Sequence, residues 1–381
     1  MSQGLNKLKK AKIVHLTSVH SPFDPRIFHK ECITLAKAGY DVVLVASHER
    51  DEMSAGVRIR GVPKVDNRWQ RASYTVHHVY QTALAESAQI YHFHDPELIP
   101  VGMMLKLHGK RVIYDVHEDL PRQIVSKAWI PRRLRGMTGK VAAALEAIGA
   151  RLFDGIIAAT PTIAARFPPD KTVVVRNFPD IGGLACIEPR LYTGRPNLIA
   201  YVGGLETLRG IKEMAKAIAI VPEMHSARLV LAGTFSPLEL ESEISQMPGW
   251  ARIDFLGWQP HEVIGEILSK ARIGMNILYP VPNYYFQPYS TKMFEYMAFG
   301  IPIIVSHFPP WKAFLEEIGC ALFVDPLDPV AVAEAISWLL EHPERAREMG
   351  EHGRELVLTR YNWLYESQNL LGFYEKKVAM S

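Results

Sequence analysis

Hydrophobic positions along this chain follow two alternating patterns. Short runs that are apolar almost throughout stand at 13–18 (IVHLTS), 41–46 (DVVLVA), 89–94 (QIYHFH), 111–117 (RVIYDVH), 154–160 (DGIIAAT) and 172–177 (TVVVRN). A second series follows at 198–204 (LIAYVGG), 228–233 (RLVLAG), 252–257 (RIDFLG), 273–278 (IGMNIL), 301–306 (IPIIVS) and 321–326 (ALFVDP). Continuous runs, rather than alternating ones, are what strands need when both faces are buried. Between most of them lie segments with helical spacing, at 26–38, 96–108, 209–220, 261–271, 291–299 and 329–341. Strand, helix, strand repeated in this way predicts parallel sheets joined by right-handed crossovers. Two series of about six strands predict an α/β protein of two doubly wound Rossmann-like domains. The Pro- and Gly-rich stretch 177–197 has little periodicity and marks the boundary. The expected division is therefore 1–180 and 181–362, with a last helix within 363–381 that can cross back to the first domain. Ligands of such sheets bind beyond the carboxyl ends of the strands. Two domains facing a central cleft would present two rows of strand-end loops to it.

Composition bounds this picture without redirecting it. The 381 residues, 48% hydrophobic, suffice for two cores. A formal charge of +3 is too mild to point to nucleic acid as a partner. Cys32, Cys186 and Cys320 follow no metal or redox spacing and read as reduced cytosolic thiols. The first residues, MSQGLNKLKKAK, lack the apolar region of a signal peptide, and no apolar run is long enough to span a membrane. The expected location is cytoplasmic.

The strand-end loops carry the chemistry. In GGLETLRGIKE (203–213), Gly203 and Gly204 allow close backbone approach, and Arg209 and Lys212 stand at a helix start, where open N–H groups already favour an anion. This reads as a diphosphate site or as a tight turn with solvated cations. Neither GxGxxG nor GxxxxGK[ST] is present, which disfavours a dinucleotide site or a P-loop. In FQPYSTKMFEYMAFGIPIIVS (286–306), Ser290 or Thr291 can cap a helix and Lys292 adds a charge, while Glu295 one turn further can accept hydrogen bonds from a ribose diol. Eight positions before Glu295 stands Gln287. HFHDPE (92–97) and YDVHED (114–119) end strands with His94, Asp95, His117 and Glu118, residues that bind hydroxyls, move protons or ligate metals. In TSVHSPFDPRIFHKE (17–31), Asp24 starts a helix and Arg26 is either an acceptor or phosphate contact or a surface cation. No D-x-D occurs, so basic side chains and helix N-termini have to neutralise a leaving diphosphate. Finally, Lys127, Arg132, Arg133, Arg135, Lys140 and Arg151 accompany Trp129 and Ile130, which reads either as a solvated face or as a helix lying peripherally on an anionic membrane.

Taken in order, FDPRIFHKE, HFHDPEL, YDVHED, YVGGLETLRGIKE, FLGW (255–258) and KMFEYMAFGIPII resemble the retaining GT-B glycosyltransferases of family 4, the glycosyl transferases group 1, over nearly the whole chain. The resemblance implies transfer of a sugar from a UDP- or GDP-sugar to a glycan or lipid-linked acceptor hydroxyl, in polysaccharide or glycoconjugate synthesis. Configuration would be retained, without a metal or other cofactor. The second domain would hold the donor and the first the acceptor. Arg209 would then hold the diphosphate with Lys292, assisted by Gly203, Gly204, Ser290 and Thr291. Glu295 would hold the ribose, and Gly257 with Trp258 would frame the base. Gln287 would hold sugar hydroxyls and His117 the transferred sugar, with Arg26, His94, Asp95 and Glu118 on the acceptor side. Two departures stand out. Gln287 occupies the place of a frequent glutamate, and Gly203–Gly204 that of a frequent Gly-Arg. An amide is no nucleophile, which favours a front-face reaction in which the leaving phosphate deprotonates the acceptor. The same departures keep open a non-catalytic sugar- or partner-binding member of the fold. An epimerase or phosphorylase is a third reading.

Overall fold

The apolar runs build two sheets. The computed structural model of the chain describes residues 11–65, 67, 70–126, 130–181, 191–285 and 289–379. Contacts divide it into Met1–Asn177 with Trp363–Ser381, and Phe178–Asn362.

In the first unit the strands are β1 (Lys12–Leu16), β2 (Asp41–Ser47), β3 (Glu52–Ser54), β4 (Val57–Val62), β5 (Ile90–Phe93), β6 (Arg111–Val116), β7 (Gly155–Ala158) and β8 (Thr172–Val174). Their order is β3-β4-β2-β1-β5-β6-β7-β8, with every pair parallel except β3 against β4. The expectation of about six parallel strands falls short here, because β3 and β4 are missing from it. In β4 (VRIRGV) partly exposed Arg58 and Arg60 alternate with buried Val57 and Ile59, a near-edge pattern that a search for continuous apolar runs passes over. Strand order reverses between β1 and β5, so the loops after these two strands diverge and leave a crevice.

One face of this sheet packs against the segment Ile27–Lys37 and the helix Trp363–Ala379. Ile13, Leu44, Ile90 and Ile113 of the sheet meet Phe28, Leu35, Trp363 and Leu370 there. Full burial of each such side chain is worth roughly 1.5–3 kcal/mol. Asp24 Oδ1 starts the segment by accepting from the N–H groups of Arg26 and Ile27 at 2.8 and 2.9 Å. The first turns, Ile27–Cys32, are π-helical, and Glu31 N–H donates back to Arg26 C=O at 3.0 Å. This widened turn brings residues 26 and 31 together. The last helix is tied down by Trp363 Nε1, which donates to Thr34 Oγ1 at 2.9 Å, and by Glu366, which accepts from Arg176 N–H at 3.0 Å.

The second unit has β9 (Leu198–Val202), β10 (Arg228–Ala232), β11 (Ile253–Gly257), β12 (Ile273–Asn276), β13 (Ile303–Ser306) and β14 (Ala321–Val324). All pairs are parallel, in the order β11-β10-β9-β12-β13-β14. Order reverses between β9 and β12, which places the loops 203–210 and 277–281 on either side of a second crevice. Gly233, after β10, lies so close to the loop after β9 that a Cβ there would stand 1.9 Å from Gly203 O. Among the described residues no helix is long and apolar enough to cross a membrane.

Candidate functional site

Each crevice gathers polar side chains. In the second unit Gly203 follows β9 with φ +128°, and a Cβ on it would stand 2.5 Å from Lys292 Cε and 3.8 Å from Arg209 Nη1. The glycine thus makes room for two cations to converge on one stretch of backbone. Arg209 ends the short turn Thr207–Arg209, and Gly210 with φ +67° redirects the chain into the helix Ile211–Ile220. Lys292 is in the first turn of the helix Thr291–Ala298, and its ammonium lies 5.5 Å from the centre of the Tyr201 ring. Arg209 meets Glu206 at 3.4 Å and also hydrogen-bonds the Tyr201 side chain. Lys292 makes no hydrogen bond or ion pair among the described residues. Burial first, and the Arg209 charge second, push its pKa down to about 8, with Glu295 and Glu206 opposing. Two like charges held together at a crevice are poised for an anion.

The other residues expected at this site are distributed around it. Ser290 occupies the N-cap position of the helix Thr291–Ala298, but neither it nor the exposed Thr291 closes the cap with a side chain; Met293 N–H donates to Ser290 C=O at 3.2 Å, and the N–H groups of Thr291 and Lys292 before it have no side-chain cap. Glu295 is one turn in, partly exposed, and close enough to oppose the shift of Lys292. Gly257 ends β11 with φ +67°, and its C=O accepts from Gly233 N–H at 2.8 Å. Trp258 beside it is 73% exposed. Gln287 lies outside the described residues. Lys212 turns away to Glu243 at 2.6 Å.

The first unit has a cavity of about 780 Å³ at its crevice, lined by His20, Asp24, Arg26, His94, Asp95, Glu97, His117, Glu118, Gln123 and Asn177 among others. All four residues assigned to the acceptor side and His117 thus meet around one space, but they differ in what they can offer. Arg26 corrects both sequence readings, since it is neither a surface cation nor an open contact. Only 4% exposed, it spends its guanidinium on Asp115 at 2.9 and 3.1 Å, on Glu31 at 3.0 Å and on Val175 C=O at 3.0 Å. Asp95 is likewise spent inward, accepting from Thr17 Oγ1, Ser18 N–H and Val19 N–H at 2.6 to 3.2 Å, which fixes the loop after β1. Burial works against its charge, yet His20 and these donors bring Asp95 down to about 2. His94 is buried and acts through its neighbours. Glu118 is exposed at the rim.

His117 is the partly exposed imidazole, 18% by side chain, and its Nε2 lies 2.8 Å from Asp115 Oδ2. Burial opposes the charge of Asp115, but Arg26 and then His117 hold it well below the usual carboxylate range. His20 was not foreseen. Its ring bridges Asp24 at 3.2 Å and Asp95 at 3.3 Å, and these carboxylates outweigh burial and push it up to about 10. The cavity therefore has a resident imidazolium. The signal was present in SVHSPFD, where His and Asp are four apart.

Beneath the cavity lies a buried row that sequence reasoning also passed over. His15 is the register partner of His92, and His94 follows two residues later on the same face. His15 Nδ1 stands 2.9 Å from His94 Nε2, His94 Nδ1 stands 3.2 Å from Asp115 Oδ2, and His92 Nδ1 stands 2.6 Å from Tyr374 Oη. Burial first, then neighbouring His94, holds His15 and His92 well below the usual histidine range, so both rings are neutral.

Comparison with known proteins gives the following. Residues 29–177 match the family described as Glycosyl transferase 4-like domain, and residues 188–356 match Glycosyl transferases group 1. An uncharacterized glycosyltransferase of Methanocaldococcus jannaschii is 25% identical over 184 residues, which are 48% of this chain and 45% of that protein. The chain thus spans about half the length of this relative. Among solved structures, sucrose-phosphate synthase from Thermosynechococcus elongatus superposes with a TM-score of 0.74 at 20% identity, covering 98% of this chain and all of that one (100%). Anabaena HepE in complex with UDP-glucose superposes with a TM-score of 0.71 at 14% identity, covering 96% and 100%. At these identities the superpositions establish the fold.

Proposed function

The chain belongs to the group 1, GT4-like glycosyltransferases and has their GT-B fold, and from that premise we propose that it moves a hexosyl group from a UDP- or GDP-sugar to an acceptor hydroxyl, with retention of configuration and without a metal in the transfer step. The observation that carries this reading is the convergence of Arg209 and Lys292 on Gly203 at the strand-order reversal of the second unit. A nucleoside diphosphate there meets two cations and the open first turn of the helix Thr291–Ala298, so negative charge is stabilised as it grows on the departing phosphate. Glu295 takes the ribose diol, and Gly257 with the exposed Trp258 takes the base. The complex of HepE with UDP-glucose is in keeping with such a donor.

In the first unit, His117, Glu118, Glu97 and Gln123 offer sugar hydroxyls their polar atoms around the cavity. Arg26, Asp95 and His94 hold that constellation in place. With no carboxylate nucleophile assigned, the departing phosphate oxygen takes the acceptor proton, and catalysis rests on positioning and charge stabilisation. The test is incubation of the purified chain with UDP-, GDP- and ADP-sugars, followed by NMR of the released nucleotide and of the sugar's anomeric proton. Release from one donor with the donor's configuration kept supports the reading. Inversion contradicts retention, and no release or binding with any donor contradicts the reading as a whole.

The acceptor's setting is proposed on a separate observation. Along the helix Arg135–Leu152 and the residue before it, Leu134, Met137, Val141, Leu145, Ile148 and Leu152 form one stripe, 45% to 61% exposed. Exposed Lys140 and Arg151 flank it, Arg132 and Arg133 precede it, and the only carboxylate of the helix, Glu146, turns inward to Arg166. Lys127 and Trp129 lie outside the described residues. An apolar stripe edged by cations with no exposed carboxylate suits an anionic membrane face, and a lipid-linked acceptor would be found there.

A further inference from the structure

We propose that His15, Glu31, His92 and His94 hold one divalent cation of the zinc class inside the first unit. One ligand atom from each of the four buried side chains lies within 4.8 Å of the others. Tetrahedral coordination with metal–nitrogen bonds of about 2.0–2.1 Å has ligand separations of about 3.3 Å, so the set closes on an ion by a change of at most ~1.5 Å in any one separation.

Three features make this a built site rather than a chance grouping. The first is the outer shell. His92 Nδ1 is engaged by Tyr374 Oη at 2.6 Å and His94 Nδ1 by Asp115 Oδ2 at 3.2 Å, so each ring would turn Nε2 to the ion, that of His94 in exchange for its 2.9 Å contact with His15 Nδ1. Metal-bound imidazoles are held in this way, by a partner on the other nitrogen. The second is an unsatisfied atom. His92 Nε2 is buried without a hydrogen-bond partner among the described residues, and Glu31, fully buried as well, meets the Arg26 guanidinium through one oxygen at 3.0 Å. An atom such as His92 Nε2 is left desolvated with nothing in return, and a ligated cation removes that cost. The third is charge. Glu31 and Asp115 are two buried carboxylates that share one buried guanidinium, Arg26, at 3.0 and 2.9 Å. A divalent ion beside Glu31 would give the two carboxyl groups a second cationic partner.

The donor set is three imidazoles and one carboxylate with no thiolate, which favours Zn²⁺ or a first-row relative over Mg²⁺ or Ca²⁺. Four protein ligands close the coordination, so no position is left for substrate and the ion stands apart from the transfer chemistry. Its effect on the cavity is indirect. By fixing His94 Nε2 it keeps the Nδ1 side of that ring toward Asp115, the carboxylate that also holds His117.

The test uses the full chain, stripped with a chelator, equilibrated with Zn²⁺ and freed of loose metal. Mass spectrometry of the metal should find about one zinc per chain, with a higher melting temperature than the stripped protein. His15→Gln and His92→Gln should each lower zinc to below about a tenth of that, while His117→Gln should leave it unchanged. Folded wild-type protein holding no more zinc than the two variants overturns the proposal and leaves a chain of neutral imidazoles. Zinc lost in His117→Gln but kept in His92→Gln overturns the assignment in favour of the group His94, Asp115 and His117. Should the histidine variants fail to fold, Co²⁺ in the wild-type chain decides. Intense tetrahedral ligand-field bands support the site, and a weak octahedral spectrum overturns it.

Discussion

Arg26 and Arg209 stand in loops after the first strands of their respective sheets, yet their surroundings give them opposite work. Arg26 is sealed against Asp115 and Glu31, so its loss strands buried carboxylates. Arg26→Ala should destabilise the fold by roughly 3–5 kcal/mol, measured by denaturant unfolding. Lys292 belongs with Arg209, and its lowered pKa gives a signed pH dependence. In the folded protein burial first and Arg209 second lower it to about 8 from its ordinary 10.5, with Glu295 and Glu206 opposing. Between these values the unfolded chain binds more protons, so stability gains a component as pH rises through that window and loses it on return to pH 8. A bound diphosphate favours the ammonium and pulls the other way. Affinity for UDP or GDP should therefore be level to about pH 7 and fall above pH 8, and Lys292→Met should flatten that fall. Titration calorimetry across pH 6–10 checks both curves, and a parallel fall in the two proteins would count against the assignment.

The elements show how much a sequence of this kind discloses. All six strands of the second unit coincide with continuous apolar runs, and the inner four, β9, β10, β12 and β13, are buried along most of their length. In the first unit β4 escaped notice through Arg58 and Arg60, since an edge-side strand shows its polar alternation. The strand-end loops themselves are legible, because strand ends and Gly or Pro mark them. The division of labour within them was not legible. Whether Arg26 and Asp95 face a ligand or each other's loops depends on contacts such as Arg26–Asp115 and Asp95–Ser18, across 89 and 77 residues. The row of His15, His92 and His94 reads in sequence as two ordinary buried strands, and only the pairing of β1 with β5 assembles it. The helix Arg135–Leu152 has the reverse lesson. Its basic residues were visible, while the exposure of its apolar stripe required the fold. The chain should co-sediment with vesicles containing anionic lipid, less so at high salt, and Val141→Glu with Leu145→Glu should reduce that at least about tenfold. Equal sedimentation of wild type and variant would assign the stripe another role.

On the scale of the whole molecule, the last helix is integral to the first unit although it follows the second in sequence. Trp363, Leu370 and Tyr374 are buried in the first unit's core, and Phe373 covers Gly155. Deleting residues 363–381 should abolish the thermal transition of the first unit and leave that of the second, as two calorimetric peaks reduced to one. Retention of both would show that the helix is dispensable. The broader claim is that the second unit binds a nucleoside diphosphate sugar through two convergent cations. Titration calorimetry of UDP and GDP into the intact chain and into Arg209→Ala and Lys292→Ala tests this most directly. One nucleotide should bind the wild-type chain, and each variant should stay folded and lose about 1.5–3 kcal/mol, roughly 10- to 150-fold in affinity. Binding at unchanged affinity in both variants would contradict the account.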